Sequence, residues 1–398
     1  MTRFRRRARE NLGAALEYLR DETVGGAVLL VAVVAALVWA NASDGYFDFW
    51  ERTLTIGVAS VSITEDLRHW VNDGLMAIFF FVVALEIKRE LVLGELSDRR
   101  TALVPVLAAF GGAGLPVVIF FLIVGIGGGD HSGWAIPMAT DIAFAVGVLA
   151  LLGDRIPSAV KLLLLTIAVV DDVVAIAVIA TFYTEGLSLA WLALAAGGVG
   201  GIVALRALSV SWVVAYVPLA LVVWIGLLES GVHATMAGVI VGLLTPTGRV
   251  DGKPVLERLE DRLHPLSAYL AVPLFALANA GVVITGTALD AAASSVVAWG
   301  IAIGLVVGKL VGIAGTMLLT ERVGLGRLPD GVTRSHVWGI AALGGIGFTV
   351  SLFIAQLAYT DPDVVDASKL AIFAASIVSA ALGSTILLRG SRGRSGQA

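Results

Sequence analysis

Two adjacent carboxylates, Asp171 and Asp172, stand in the middle of an apolar run, Thr166 to Tyr183 (TIAVVDDVVAIAVIATFY), that contains no basic residue. The run is long enough to cross a bilayer. An ionised Asp at a bilayer centre costs about 2.5–3.5 kcal/mol on insertion scales, so two together point to function, and the chemistry they offer is cation binding and proton transfer. Two further charges lie at membrane depth, Asp141 in GWAIPMATDIAFAVGVLALL and Lys309 in GLVVGKLVGI. Neighbouring helical positions point about 100° apart, so Asp171 and Asp172 cannot both face one partner. One can pair with Lys309, the midspan base available, while the other faces a cavity. Lys309 then has two readings. It is a structural counter-ion, or it carries a proton, because breaking and remaking a Lys–carboxylate pair in a desolvated site releases and recaptures one.

The stretch around Asp141 also carries a break. Pro137 is followed by small and polar residues, Ala139-Thr140-Asp141, before the helical pattern resumes. A second interruption occurs in LGGIGFTVSL, where Gly344, Gly345 and Gly347 precede Thr349. Freed carbonyls and half-helix ends are tolerated at membrane depth only where protein or a water-filled cavity satisfies them, and such groups suit a small hard cation. Paired interruptions are also what an inverted repeat predicts. The stripe Gly300, Gly304, Gly308 and Gly312 reads instead as close helix packing around Lys309. Glu86 and Glu90 lie beside Lys88 and Arg89 in MAIFFFVVALEIKREL; they are either a self-neutralising interfacial cluster or a cation-steering and pH-sensing one. His233, in SGVHATMAG, titrates in the physiological range or is simply a polar group at a helix start.

The elements that must hold these residues follow from composition. The 398 residues are 58% hydrophobic and 15% charged, and the mean hydropathy is +0.92, which predicts one polytopic all-α membrane domain over residues 1–398. The absence of Cys excludes disulfides, thiolate metal sites and Cys nucleophiles. Hydropathy predicts twelve transmembrane spans near 24–41, 70–92, 102–125, 134–152, 158–183, 188–206, 211–228, 233–246, 266–286, 295–320, 335–359 and 367–388. Placing both termini in the cytoplasm puts all but four of the 27 Lys and Arg on the inner side; the exceptions are Arg52, Arg68, Lys309 and Lys369. One missed helix would spoil that bias. Arg3, Arg5, Arg6, Arg7 and Arg9 could bind nucleic acid, but beside a first apolar span they read as an anchor on anionic lipid, with no nucleic acid implied. Ala40-Asn41-Ala42 resembles a signal-peptide cleavage site, yet the span before it approaches full length and the polar leader is long, which favours an uncleaved first helix. Thr53 to Ile63, TLTIGVASVSI, reads either as an ordinary loop or as an extracellular β-hairpin; a hairpin would need a partner, and a second copy of the chain is the simplest one. The charged stretch from Pro246 to Leu266 reads as solvated inner loop.

Taken together, GWAIPMATDIAFAVGVLALLG, IAVVDDVVAIAVIATFY, LMAIFFFVVALEIKREL, SGVHATMAGVIVG, VPLFALANAGV and GGIGFTVSLFIAQLA resemble the NhaA-type Na+/H+ antiporters of bacterial inner membranes. The likeness covers nearly the whole chain. It implies a core (102–183 and 295–388) of two inverted three-helix repeats, spans three to five and ten to twelve, with interrupted helices four and eleven. It also implies a dimerising panel (24–92 and 188–286) that carries the hairpin. By matching motif, Asp172 would be the principal Na+ or Li+ ligand, assisted by Asp171 and Thr140. Lys309 would pair with Asp171 and take part in proton exchange, and Asp141 would offset half-helix dipoles. Glu86, Glu90, Glu260, His264 and, by its titration range, His233 are the pH-sensing candidates. Two departures stand out: Gly308-Lys309-Leu310 where the family commonly has Gly-Lys-Pro, and Asp261 where the best-known members have His.

The expectation is therefore a multi-pass inner-membrane protein, not an enzyme, that exports Na+ or Li+ in electrogenic exchange for H+, with no organic cofactor or resident metal. Two other readings are open. A Na+-coupled symporter of an organic anion would need a second polar cluster for that anion. An intramembrane aspartyl protease would use Asp141 and Asp171 as a dyad sharing one proton.

Overall fold

A computed structural model describes residues 22–392 except 59–60, 93–95, 97–98, 185, 211, 251–252 and 330. The Arg cluster before residue 22 and Arg394 lie outside the described residues. Helices α1 (Glu22–Ala42) and α2 (Gly45–Trp50) lead into an antiparallel pair of strands, β1 (Thr53–Val58) and β2 (Val61–Asp66), and a π-helical turn at Trp70–Leu75 opens α3 (Met76–Val92). Then come α4 (Arg99–Gly127), a 3-10 segment Ser132–Met138, α5 (Ile142–Leu151), α6 (Ser158–Phe182), α7 (Leu189–Ala207), α8 (Val217–Leu228) and α9 (Thr235–Leu244). The short strands β3 (Arg249–Val250) and β4 (Lys253–Pro254) precede α10 (Val255–Leu266), which a π turn at Ser267–Ala271 joins to α11 (Val272–Asn279). The chain finishes with α12 (Gly286–Ser294), α13 (Val296–Ile303), a π turn Gly304–Gly308, α14 (Lys309–Val323), α15 (Arg334–Leu343), α16 (Phe348–Ala358) and α17 (Pro362–Arg392).

Among the described residues, seven helices are long and apolar enough to cross a membrane, or eight if the bent pair α15 and α16, which meet at 42°, is one crossing. Twelve crossings are thus not matched one for one. The physical reason is local: α3 ends in the charged run Glu86 to Glu90, α9 has only 10 residues, and the 255–279 segment begins with an amphipathic charged helix. The result is a multi-pass membrane protein that buries charge both at a chain break, as at Asp141, and inside an unbroken helix, as at Asp171 and Asp172.

Two expectations about the surface segments need adjustment. The hairpin is present, but its register runs from Thr53 opposite Asp66 to Val58 opposite Val61, so the second strand reaches past Ile63. Thr55 and Thr64 face each other, their hydroxyls 2.8 Å apart, which extends the pairing into that polar stretch. The 246–266 stretch is not simply solvated loop: α10 buries Val255, Leu256 and Glu260. Those positions return at near four-residue spacing, which turns one face of the helix inward against α3.

The glycine stripe does what its spacing predicts. A Cβ on Gly308 would sit 2.8 Å from Pro116 Cα, and one on Gly312 would collide with the Gly111 carbonyl, so α14 lies backbone to backbone against α4. Because α6 also packs on α4, the first residue of α14, Lys309, is brought toward the middle of α6.

Candidate functional site

The 3-10 segment that leads to Asp141 is pinned at its outer turn by two tyrosines. Gly133 N donates to the Tyr359 hydroxyl (3.0 Å), and the Tyr183 hydroxyl donates to Ser132 O (2.8 Å). Beyond Met138 the backbone turns extended at Ala139, and α5 begins only at Ile142. The opposing chain breaks between Leu343 and Phe348. The two breaks cross and satisfy each other's freed groups. Asp141 N donates to Ile346 O (2.6 Å), Thr140 Oγ1 to Gly344 O (2.8 Å) and Ser351 Oγ to Ile136 O (2.8 Å). Buried backbone polar groups left without partners would otherwise cost several kcal/mol each in a membrane.

Asp141 serves two helices at once. Its Oδ1 accepts from Phe144 N in the first turn of α5 (2.9 Å), and its Oδ2 accepts from Thr349 N (2.9 Å) and Thr349 Oγ1 (2.7 Å) in the first turn of α16. One carboxylate therefore caps both half-helices, where the positive ends of their dipoles converge. Thr349 is the residue the motif reading did not assign. Its position two residues after Gly347, at the start of a half-helix facing Thr140-Asp141, was the available signal.

In α6 the 100° divergence between neighbours is realised. Asp171 Oδ2 accepts from Lys309 Nζ at 2.5 Å, with the Lys side chain 0% and the Asp side chain 2% exposed. Asp172 turns elsewhere, into a cavity of about 210 Å³ that it shares with Asp141, Thr349, Glu86, Arg89, Glu90, Glu260 and His264. Among the described residues, neither the buried Asp172 Oδ1 nor Asp171 Oδ1 finds a hydrogen-bond partner. Such orphaned acceptors are what a desolvated cation would need.

Of the residues named from sequence, the cavity gathers Asp172, Asp141, Glu86, Glu90, Glu260 and His264. It does not include Thr140, whose hydroxyl is spent on Gly344 O, nor Asp171 and Lys309, which face each other behind it. His233 lies half-buried in the approach to α9, outside the lining. Arg89, treated in the sequence only as part of an interfacial cluster, reaches across to Glu260, its NH1 2.8 Å from Oε1, and stands 3.6 Å from Glu90. Asp141 and Asp171 bond to different elements, so neither shares a proton with the other as a protease dyad requires.

Glu260 carries a pH signature. Burial holds its carboxyl above the ordinary 4.5, reinforced by Asp261, Glu257 and Glu90 and opposed by the Arg89 guanidinium. Its Oε2 is buried and has no hydrogen-bond partner among the described residues. A raised folded-state pKa means the folded protein holds this proton more tightly, so stability falls as pH climbs from 4.5 through the folded value and stays lower above it. Glu260→Gln should remove that slope. The melting temperature of the parent relative to the variant should drop as pH rises above 4.5, and a difference that is flat with pH would show that the Glu260 proton is not held more tightly in the folded protein.

Comparison with known proteins adds an independent line. A family model described as Na+/H+ antiporter 1 matches residues 16–387. The Na(+)/H(+) antiporter NhaA 2 of Erythrobacter litoralis is 45% identical over 384 residues, covering 95% of this chain and 94% of that protein. The Na(+)/H(+) antiporter NhaA of Nocardia farcinica is 46% identical over 388 residues (96% and 92%), and that of Serratia proteamaculans 44% over 375 (93% and 96%).

Proposed function

The chain belongs to the Na+/H+ antiporter 1 family, and from that premise we propose that it exchanges Na+ or Li+ for protons through a single site built on Asp172 and Asp171. The observation that carries the reading is the division of labour in α6: Asp172 stands in the cavity with an unpartnered oxygen, while Asp171 is held by Lys309 directly behind it. A cation entering the cavity meets a carboxylate that is charged and desolvated, and a proton arriving there neutralises the same group. The two cannot occupy it together. Competition for one site, reached from one side of the membrane at a time, is sufficient for exchange.

Each residue then has a task. Asp172 is the principal cation ligand. Asp171 and Lys309 form a pair whose opening offers a second carboxylate and a proton. Thr140, bonded to Gly344 O, contributes through the shape of the crossing. Asp141 keeps the two half-helix ends in place beside the site. Glu86, Glu90, Glu260 and His264 line the approach and draw cations in, and the proton on Glu260 ties that approach to cytoplasmic pH. His233, away from the cavity, would sense pH only through α9. If more than one proton moves per cation the cycle is electrogenic. Twelve crossings with both termini cytoplasmic fit the distribution of basic residues, with the cavity open to the cytoplasm of the inner membrane. The exposed strands of the hairpin pair two copies of the chain; removing residues 53–63 should therefore weaken a dimer on native electrophoresis without loss of exchange, and an unchanged oligomer would refute this assignment.

The direct test is dequenching of a pH-sensitive dye in everted vesicles. Addition of Na+ or Li+ to vesicles energised by respiration should discharge the proton gradient, with K+ as the comparison. No response to either cation at any pH from about 6.5, the ordinary His value, to about 9 would overturn the proposal.

A further inference from the structure

The end of the molecule away from Glu260 and His264 is fastened by a set of polar bonds. Helix α1 runs from Gly25 and Leu29, which line the cavity, to Asn41; the continuous helical segment 255–279 runs from Glu260 to Asn279. At about 1.5 Å per residue these spans carry the chain roughly 24 and 28 Å from the cavity lining at Gly25 and Glu260. At that far end the side chains of Asn72 and Asn279 bond each other. The Tyr46 hydroxyl accepts from Gly281 N (3.1 Å) and donates to Leu277 O (2.8 Å); burial pushes it up to about 12, so it remains protonated and able to donate. Asn41 donates to Val282 O and accepts from Ile284 N. All of these bonds join segment 22–92 to segment 272–286.

One bond to the same turn comes from α17. Lys369 Nζ donates to Gly281 O at 3.3 Å, with Asp366 Oδ1 3.0 Å away in the preceding turn. Lys369 is 7% exposed, and nothing in the exchange chemistry uses it. A buried ammonium is a poor permanent fastener, since a neutral chain of equal length would fill the space without desolvating a charge. It suits a contact that must open, because on release the ammonium keeps Asp366, whose side chain is 40% exposed, and regains water.

We propose that Lys369 is the latch at the far end: it ties α17 to the Gly281 turn while the cavity is open at the Glu260 end, and it lets go when the site opens the other way. The idea rests on the antiport reading for its alternation of access. Because the chain has no Cys, a single introduced thiol reports access cleanly. Ala143→Cys, on the cavity lining, would be labelled by a membrane-impermeant maleimide in everted and in right-side-out vesicles without Na+. Adding Lys369→Met should lower labelling from the Glu260 side and raise it from the far side, by about tenfold in their ratio, the change one charge-assisted hydrogen bond supplies. Lys369→Arg should retain the parent pattern. An unchanged ratio, whatever happens to thermal stability, would make Lys369 a plain helix-end cap and overturn the latch. Should Lys369→Met fail to accumulate, Lys369→Gln, which keeps a polar group at the position but no charge for the Gly281 carbonyl, should shift the ratio the same way; no shift there also overturns it. If the parent moves no Na+ while its thiol still alternates, the antiport reading falls and the latch stands.

Discussion

Asp172→Asn should abolish Na+-dependent proton movement in everted vesicles while leaving the protein folded. The amide has nearly the same shape as the carboxylate but carries no charge and offers one acceptor oxygen in place of two. At a separation of about 4 Å and an effective dielectric constant near 20, a unit charge attracts a monovalent cation by about 4 kcal/mol, equal to roughly a thousandfold in affinity. Stability should hold or rise, because Asp172 Oδ1 has no hydrogen-bond partner to lose and burying an amide costs less than burying a charge. Dye dequenching and calorimetric Na+ titration check the first part, and a detergent melting curve checks the second. Full exchange by the variant would remove Asp172 from the role of ligand.

Lys309→Ala should be costly in a different way. Its ammonium and the Asp171 carboxylate are both sealed from solvent, so removing one partner leaves an uncompensated buried charge, a loss of about 3–5 kcal/mol. The melting temperature in detergent should fall markedly, and exchange should fall with it. The informative comparison is the double change. Lys309→Ala with Asp171→Asn leaves no unpaired charge and should recover much of the stability without recovering exchange; measured with the Asp171→Asn single variant, it closes the cycle that gives the coupling between the two groups. A single variant as stable as the parent would show that the pair contributes nothing to the fold. Full recovery of exchange in the double variant would show that Asp171 and Lys309 neutralise each other and do no more. The departure at Leu310 bears on this site. The backbone before Lys309 is π-helical from Gly304 to Gly308, so an altered helical register precedes the base in this chain without a proline at 310.

Much of the site was legible in the residues themselves. The cost of charge at membrane depth singled out Asp141, Asp171, Asp172 and Lys309, and helical geometry alone required Asp171 and Asp172 to face different surroundings. Small residues at four-residue spacing announced the close contact that lets Lys309 reach α6. Pro137 and the Gly344 to Gly347 run marked the breaks. Other features had no local signature. That Asp141 caps two helices, that Thr349 supplies two of its bonds, and that Arg89 crosses to Glu260 depend on segments tens to hundreds of residues apart meeting at a few ångströms.

Residue chemistry alone makes this chain a membrane protein with three acids and a base where lipid would not tolerate them unpaired, because the transfer energy of each side chain belongs to the residue and its neighbours along the helix. Which acid pairs and which faces water was decided only by the tertiary structure. Choosing between Asp171 and Asp172 takes the rotation of α6 against α4 and α14, and that rotation is set by packing over the whole bundle rather than by any run of residues.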